Sequence, residues 1–178
     1  MTPIQIPLLF SISNFLSNED WDTAESILNS PGWYYGNWTN ESVGQWIRYL
    51  DDDKFFSGRF TDIVNEKLKP YNLQVNTGYP KNIRANSTGY GIGGQEHADW
   101  LGEGKEDWYT MLLYTNRNYH PSWGGNFYYY SDNNKVNYVM PLPNQAVFFH
   151  GHVVHSWLPY LNKNEQRVNV TLSLRLIK

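Results

Sequence analysis

The stretch QEHADWLG, residues 95–102, carries a histidine and an aspartate two positions apart, His97 and Asp99. In an extended chain, residues i and i+2 point to the same face, so an imidazole and a carboxylate at this spacing can bind one metal ion. A His-x-Asp triplet is short, however, and the chain contains five histidines. A metal site therefore requires a further ligand from another part of the chain.

The other candidates are His120, His150, His152 and His155. Three of them lie in the stretch QAVFFHGHVVHSWLP, where Gly151 indicates a break between two strands. His155 follows inside an apolar run that favours a strand, which would fix the direction of its imidazole ring. Histidine has many roles outside metal sites, so surface or hydrogen-bonding roles stay open for the others.

Two histidines and a carboxylate on one face of a metal suit non-haem Fe(II), because this triad leaves three coordination positions open. The usual co-substrate of such iron is 2-oxoglutarate, which chelates through its keto-acid end and has a second carboxylate to be anchored. A guanidinium pairs bidentately with a carboxylate, and Arg167 in EQRVNVTLSLRL is the candidate anchor. Arg167 begins the strand predicted to follow that of His155, and a hairpin would hold the two strands about 5 Å apart.

Two helices are predicted ahead of the candidate site. Ser17 followed by Asp20 predicts an N-cap, and apolar residues then recur at helical spacing up to a stop at residues 29–32. The stretch IPLLFSISNFLS before this helix indicates a strand that leads into a turn. A second helical pattern runs from Asp52 to about Lys69 and is ended by Pro70.

Beyond the helices, short runs of aromatic and aliphatic residues alternate with Gly, Asn and Pro clusters, which is typical of strands. The predicted strands are residues 72–76, 81–87, 94–99, 108–115, 125–130, 136–140, 145–149, 153–158 and 166–176. We therefore predict a mainly β (α+β) protein with a double-stranded β-helix core, of the jelly-roll or cupin-like kind, and N-terminal flanking helices. No linker or repeat interrupts the chain, so residues 1–178 are predicted to form one domain.

Composition excludes several classes of protein. The net charge of -3 and the pI near 5.9 argue against nucleic-acid and anionic-membrane partners, and the absence of cysteine excludes disulfides and thiol chemistry. No signal peptide or membrane span is predicted, so we expect a cytoplasmic protein, or one in the host cytoplasm if the source is viral. Aromatic residues make up 17% of the chain and are interpreted as mainly structural, with a ring-lined substrate groove as the alternative.

With these residues placed, the chain resembles the Fe(II)/2-oxoglutarate-dependent dioxygenases, and within them the prolyl 4-hydroxylase-like branch. SISNFLSNEDWDTAESIL is similar to the family's opening strand, turn and helix, and HADW resembles its His-x-Asp box. The segment that follows this box in the family resembles MLLYTNRNYHPSWGGNFYYY. The segment with the distal histidine resembles PLPNQAVFFHGHVVHSWLPY, and the anchor strand resembles QRVNVTLSL. The family places a proline four residues after the distal histidine, and Pro159 stands there relative to His155.

The resemblance implies that His97, Asp99 and His155 bind Fe(II) and that Arg167 binds the distal carboxylate of 2-oxoglutarate. Tyr90, in TGYGIGGQEH, resembles a family tyrosine that hydrogen-bonds 2-oxoglutarate, although a packing role for it stays open. The reaction implied is hydroxylation of a C–H bond by O2, with decarboxylation of 2-oxoglutarate to succinate. Ascorbate is a further candidate cofactor.

The implied substrate is a prolyl residue of a peptide or protein. The alternatives are a free amino acid, a small metabolite or a nucleobase in the same chemistry, and a non-enzymatic jelly-roll module that binds sugars. Many collagen-type prolyl hydroxylases use lysine as the anchor, so Arg167 does not by itself indicate proline. The nucleic-acid demethylase branch has a second arginine where this chain has Ser173, which argues against that branch. The oligomeric state is not predicted.

Two segments next to site elements, residues 42–54 and 102–107, are interpreted as loops that could close over the substrate. Trp100, Trp123 and Trp157 also lie close to these elements in sequence. They are predicted either to line the substrate groove or to pack the end of the barrel.

Overall fold

Antiparallel β-strands dominate the computed structural model, which describes residues 7–36, 44–75, 83–99, 107–131 and 134–176. The strands are β1 (Leu9–Ile12), β2 (Tyr34–Gly36), β3 (Gln45–Tyr49), β4 (Leu73–Val75), β5 (Arg84–Thr88), β6 (Trp108–Tyr114), β7 (Phe127–Tyr130), β8 (Val136–Val139), β9 (Ala146–His150), β10 (His155–Trp157) and β11 (Arg167–Leu176). The α-helices are α1 (Asn18–Leu28) and α2 (Thr61–Leu68), and short 3-10 helices span Lys69–Tyr71 and Pro121–Trp123.

Helix α1 begins where the sequence predicts it. The Ser17 hydroxyl accepts a hydrogen bond from the backbone N–H of Asp20 at 3.1 Å and donates one to the Asp20 carboxylate at 2.7 Å. This cap satisfies one of the backbone donors that a helix N-terminus leaves unpaired. The same carboxylate accepts from Arg59 at 3.1 Å and so connects α1 to the second helical region.

The second helical region differs from the single α-helix predicted for residues 52–69. Phe55–Phe60 form a π-helical turn, and the α-helix α2 follows only from Thr61. Phe56 and Phe60 are fully buried in this turn, with ring centroids 5.2 Å apart. These residues therefore form the wider turn of a π-helix in place of the predicted α-helical turn, and both rings are buried in the core.

The strands form two antiparallel sheets. The large sheet has the order β1-β9-β6-β11-β5-β3-β2, with β4 paired to the end of β11, and the small sheet has the order β10-β7-β8. Phe127 of β7 packs on Phe149 of β9 with ring centroids 5.1 Å apart, so the two sheets face each other. The predicted double-stranded β-helix with N-terminal helices is confirmed.

The two faces of the large sheet have different surroundings because side chains alternate along each strand. On β11, Val170, Leu172 and Leu174 pack into the main hydrophobic core, to which α1 and α2 also contribute. Arg167 and Asn169, at the intervening positions, line a cavity on the opposite face. One face of the sheet therefore stabilises the fold, and the other carries polar groups toward the small sheet.

Strand pairing departs from the sequence prediction at two points. β10 pairs with β7 in the small sheet, whereas β11 pairs with β4, β5 and β6 in the large sheet, so His155 and Arg167 are not on neighbouring strands. Residues 94–99 form no strand either: a single bridge joins His97 to His155. In both cases the sequence pattern shows an extended segment but carries no information on its distant partner.

Two strands were not predicted at all. β2 and β3 pair with each other, and β3 joins the large sheet through β5. Gln45–Tyr49 lies in the segment interpreted as a closing loop, and that interpretation is wrong for these residues. Residues 102–106 of the other predicted loop lie outside the described residues.

Candidate active site

Backbone pairing brings the three predicted metal ligands together. The backbone N–H groups of His97 and His155 each donate to the carbonyl of the other, at 3.1 and 2.9 Å. A Cβ at Gly94 would lie 2.5 Å from the Trp157 ring, so the absence of a side chain there allows this close approach. One potential ligand atom from each of His97, Asp99 and His155 then lies within 4.8 Å of the other two.

Backbone carbonyls orient both imidazoles. His97 Nδ1 lies 2.9 Å from the Gln95 carbonyl oxygen, and His155 Nδ1 lies 2.8 Å from the Val153 carbonyl oxygen. Each Nδ1 therefore carries the proton as a donor, which leaves Nε2 unprotonated in the neutral ring. This is the arrangement typical of metal-binding histidines, where the second nitrogen fixes the tautomer and the ring direction.

The carboxylate of Asp99 completes the triad. Its Oδ2 accepts a hydrogen bond from the Thr110 hydroxyl at 2.6 Å, and its Oδ1 lies 3.3 Å from His97 Nε2 and 3.8 Å from His155 Nε2. Burial opposes ionisation, but the hydrogen bonds from His97 and Thr110 and the charge of His155 lower the pKa of Asp99 to about 2. The carboxylate is therefore ionised at neutral pH.

The pKa values of the two histidines are shifted in opposite directions. The hydrogen bond with Asp99 raises the pKa of His97, against the opposing effects of burial and of the Arg84 charge. Burial lowers the pKa of His155. Two neutral nitrogens and one carboxylate oxygen form the donor set that suits Fe(II), so these residues fit that ion.

A cavity of about 290 Å³ opens beside the triad. Rings of both sheets enclose its inner part: His155 stacks on Phe127 at 5.2 Å and contacts Phe149 at 4.5 Å between ring centroids. Asp99 is the sole acidic residue among the described residues that line the cavity, whereas Arg84 and Arg167 both line it. The cavity therefore favours anionic ligands.

Arg167 lies at the end of the cavity formed by the start of β11. Its side chain is buried, its Nη1 donates to the Gly125 carbonyl at 2.6 Å, and its guanidinium lies 5.5 Å from the Trp157 ring centroid. A Cβ at Gly125, where φ is +71°, would lie 3.2 Å from Arg167 Cδ. Arg167 Nε is buried and has no hydrogen-bond partner within the described part of the chain.

Tyr114 is a site residue that the sequence analysis did not identify. It lines the same cavity, and its buried hydroxyl has no hydrogen-bond partner among the residues that the structure describes. Burial raises the pKa of Tyr114 to about 12, although the Arg167 charge acts in the opposite direction. The alternation of β6 could have identified it, because Thr110 and Tyr114 are an even number of residues apart and share a face.

Tyr90, the tyrosine predicted to bind 2-oxoglutarate, is not brought to this cavity. It is 53% exposed, and the Lys163 ammonium lies 5.2 Å from its ring centroid. Among the tryptophans, Trp157 lines the cavity, whereas Trp123 is not among its described lining residues. Trp100 lies outside the described residues.

The other histidines lie apart from the triad. His120 caps a 3-10 helix, where its Nδ1 accepts from the Ser122 backbone N–H. His150 ends β9, and His152 is exposed in the turn that follows. Within the described ranges, His155 is thus the histidine that joins the His-x-Asp pair.

No helix among the described residues is long and apolar enough to cross a membrane.

No curated protein sequence matches the chain. Solved structures do match it. A Pseudomonas putida prolyl-4-hydroxylase is 16% identical with a TM-score of 0.70, over 96% of this chain and 94% of that one.

Two further structures have the same fold. A Trichoplax adhaerens prolyl hydroxylase, in complex with a hypoxia inducible factor peptide fragment, is 20% identical over 95% of this chain and 84% of its own, with a TM-score of 0.74. HygX from Streptomyces hygroscopicus, with nickel, 2-oxoglutarate and hygromycin B bound, is 11% identical over 94% and 82%, with a TM-score of 0.68.

The sequence itself matches the family model of the 2OG-Fe(II) oxygenase superfamily over residues 85–175. This segment contains both histidines and the aspartate of the triad, together with Arg167. Its donor set and its buried arginine fit Fe(II) and 2-oxoglutarate, the cofactors of that superfamily. The chain belongs to the 2OG-Fe(II) oxygenase superfamily.

Proposed function

We propose that this protein is a prolyl 4-hydroxylase-like enzyme that hydroxylates a peptide or protein substrate. In this proposal His97, Asp99 and His155 hold Fe(II), and Arg167 binds the distal carboxylate of 2-oxoglutarate. Bound together, Fe(II) and 2-oxoglutarate supply the activation of O2 and the hydroxylation of a C–H bond, with release of succinate and CO2. Ascorbate stays a prediction.

The observation that carries this proposal is a pair of unsatisfied groups, Arg167 and Tyr114, at the other end of the cavity from the triad. Arg167 is 6% exposed and has no carboxylate partner in the described ranges. A buried charge without a counter-ion costs several kcal/mol, and an unpaired buried hydroxyl such as that of Tyr114 costs about 1–3 kcal/mol. A carboxylate bound between the two groups would remove both costs.

The protein's own contribution is to orient and to exclude water. Val153 and Gln95 hold the imidazole rings through their carbonyls, and Thr110 holds the carboxylate of Asp99. Phe127 and Phe149 shield the inner side of the site. Such fixed groups reduce the reorganisation needed during the reaction.

The substrate class is argued from the surface next to the cavity. Gln45 at the start of β3 lines the cavity, and the hairpin β2–β3 carries exposed aromatic rings. Tyr34 and Tyr49, on the same face of the sheet as Gln45, have ring centroids 5.7 Å apart, whereas Tyr35 and Trp46 point to the opposite face. An exposed aromatic pair beside a catalytic cavity suits a polypeptide better than a small molecule, since it can contact a substrate residue next to the reacting one.

The proposal is tested by anaerobic reconstitution with Fe(II) and 2-oxoglutarate. We expect a visible metal-to-ligand charge-transfer band that is lost in His155→Ala and needs more 2-oxoglutarate in Arg167→Ala. Blocked proline peptides and free amino acids are then compared by succinate release, with mass spectrometry to detect one added oxygen. No band in a folded protein would contradict the proposal and favour the binding-module alternative.

A small-molecule substrate is the second candidate. The likeness to HygX supports it, because that structure contains hygromycin B together with 2-oxoglutarate. Succinate release coupled to a free amino acid or metabolite, with none for the peptides, would favour this candidate and leave the oxygenase chemistry unchanged.

A further inference from the structure

A second arginine, Arg84, lines the cavity away from the Arg167 end. β5 and β11 are paired so that Thr88 faces Arg167 and Arg84 faces Thr171. The two arginines are therefore four residues apart along one strand pair, a separation of about 13 Å along the backbone. Both side chains line the same cavity, so the wall formed by β5 and β11 has one positively charged side chain near each of its ends.

Most of the hydrogen-bonding capacity of Arg84 is unused within the described residues. Its Nε donates to the Thr171 hydroxyl at 3.2 Å, and none of its terminal N–H groups has an acceptor in the part of the chain that the structure describes. A guanidinium has five N–H donors in a planar fork that matches a carboxylate. The half-buried Arg84 therefore presents an open face to the cavity.

The groups around Arg84 extend this open face. Asn86, two residues along β5, lines the cavity, and its buried Oδ1 has no hydrogen-bond partner among the described residues. Tyr49 is paired directly with Arg84 across β3 and β5, so its ring lies on the same face of the sheet. An acidic residue with a neighbouring N–H donor and a ring would match these three groups.

The charges of the loaded cavity also indicate an anionic substrate. Among the described lining residues, two arginines and Asp99 together with a divalent ion leave three positive charges, and dianionic 2-oxoglutarate compensates two of them. Arg167 and the metal triad account for the two ends of that co-substrate. Among the described residues, Arg84 therefore has no counter-ion for the substrate carboxylate to displace.

We propose that Arg84 binds a carboxylate of the substrate and so selects substrates with an acidic group next to the hydroxylated residue. This inference rests on the proposed function for the identity of the reaction. It concerns a different residue from the co-substrate anchor, and so can fail separately.

The test measures equilibrium binding to the protein loaded with Ni(II) and 2-oxoglutarate, which does not turn over. The probes are the acetylated and amidated tripeptides Glu-Pro-Ala and Ala-Pro-Glu, each against its Gln counterpart. We expect the better Glu peptide to bind wild type about 10- to 100-fold more tightly than its Gln counterpart, which is the effect of one charge-assisted hydrogen-bonded pair. Arg84→Gln should abolish this preference, and Arg84→Lys should restore part of it.

Arg175→Gln is the matched control. It removes the same charge from β11 at an exposed position outside the described lining of the cavity, so the preference for Glu should persist. The 2-oxoglutarate affinity of Arg84→Gln should fall much less than that of Arg167→Gln, because Arg84 adds charge to the cavity but does not contact the co-substrate in this proposal. An equal fall in 2-oxoglutarate affinity with unchanged peptide binding would overturn the proposal, because Arg84 would then contact the co-substrate.

Further arms identify the source of the carboxylate. Free L-proline and the peptide Ala-Pro with an unblocked C-terminus carry an α-carboxylate, whereas the blocked Glu peptides carry only a side-chain one. Arg84-dependent binding of either kind supports the proposal and identifies its source. Failure of every carboxylate probe to bind, with 2-oxoglutarate still bound, would overturn the proposal for Arg84. If wild type binds neither the metal nor 2-oxoglutarate, the proposed function itself is wrong.

Discussion

The two ends of the cavity differ in how far the protein itself satisfies their polar groups. At the metal end, each imidazole Nδ1 faces a backbone carbonyl, and Asp99 accepts from Thr110. At the anchor end, Arg167 Nε and the Tyr114 hydroxyl are buried without a partner in the described ranges. The first end is preorganised in the absence of ligand, whereas the second is complete only when a carboxylate is bound.

This difference separates two uses of a buried polar group. Satisfied groups at the metal end hold the ligands in one geometry, which favours metal affinity. Unsatisfied groups at the anchor end reduce the stability of the free protein, and a bound carboxylate would pair with both of them. Substitutions at the two ends should therefore differ in their dependence on ligand.

The largest effect is expected from removing a metal ligand. His155→Ala should abolish tight metal binding and lower the rate of 2-oxoglutarate turnover about a thousandfold or more, because a bound ion contributes several kcal/mol to such a reaction. Metal content and succinate release measure this. His152→Ala is the control, since His152 is exposed and outside the triad, and an equal loss in that variant would contradict the assignment.

The next effect concerns the anchor end. Arg167→Gln should raise the KM for 2-oxoglutarate about 10- to 100-fold, and Tyr114→Phe should raise it by about tenfold. Without 2-oxoglutarate, Tyr114→Phe should leave the free energy of unfolding unchanged or raise it by about 1 kcal/mol, because an unpaired buried hydroxyl is removed. Thermal unfolding with and without 2-oxoglutarate separates the two effects.

Tyr119→Phe is the control for Tyr114→Phe. Tyr119 is half-buried, and its hydroxyl donates to the Asn126 side-chain oxygen at 3.0 Å. Its loss should destabilise the protein by about 1 kcal/mol whether or not 2-oxoglutarate is present. If both variants destabilise the free protein equally, the contrast between satisfied and unsatisfied groups is wrong.

A third effect tests the support of the carboxylate at the metal end. Thr110→Val removes the hydrogen bond to Asp99 Oδ2 and should weaken metal binding about 10- to 100-fold. Titration with Ni(II) measures the affinity. Thr115→Val, which removes a hydroxyl that donates to the Val168 carbonyl, should leave that affinity unchanged.

The smallest effect is the pH dependence of metal binding. The hydrogen bond with Asp99 raises the pKa of His97, so His97 keeps its proton at pH values where an ordinary imidazole is neutral. A metal must displace this proton, and below the raised pKa the affinity should fall about tenfold for each unit of decrease in pH. Calorimetric titration with Ni(II) between pH 5.5 and 8 measures this dependence, and a constant affinity would contradict it.

Local sequence patterns predicted a large part of the molecule. The Ser17 cap and most strands after residue 70 were predicted correctly, because capping and side-chain alternation depend on residues close in sequence. The triad residues were predicted from residue type and family resemblance, and the structure brings His97, Asp99 and His155 together. Arg167, predicted as the carboxylate anchor, lines the same cavity as the triad, but from the large sheet and not from a strand next to that of His155.

Long-range pairing was not predictable from these patterns. Strand alternation does not state which strand is the partner, so the placement of β10 and β11 on adjacent strands was wrong. Tyr90 forms an isolated backbone bridge with Tyr160, and its own side chain is exposed. Tyr114 on β6 points into the cavity. Which tyrosine reaches the anchor depends on the face that each strand turns to the cavity.

By itself, the sequence determined the chemical types of the site: two imidazoles, one carboxylate and one guanidinium, within a β-rich chain with N-terminal helices. These follow from residue identity and from periodicities of two and 3.6 residues, which are local properties. Only the tertiary structure decided that Arg84 and Tyr114 face the same cavity as the triad. That outcome depends on sheet register, where a shift of one residue would turn each side chain to the opposite face.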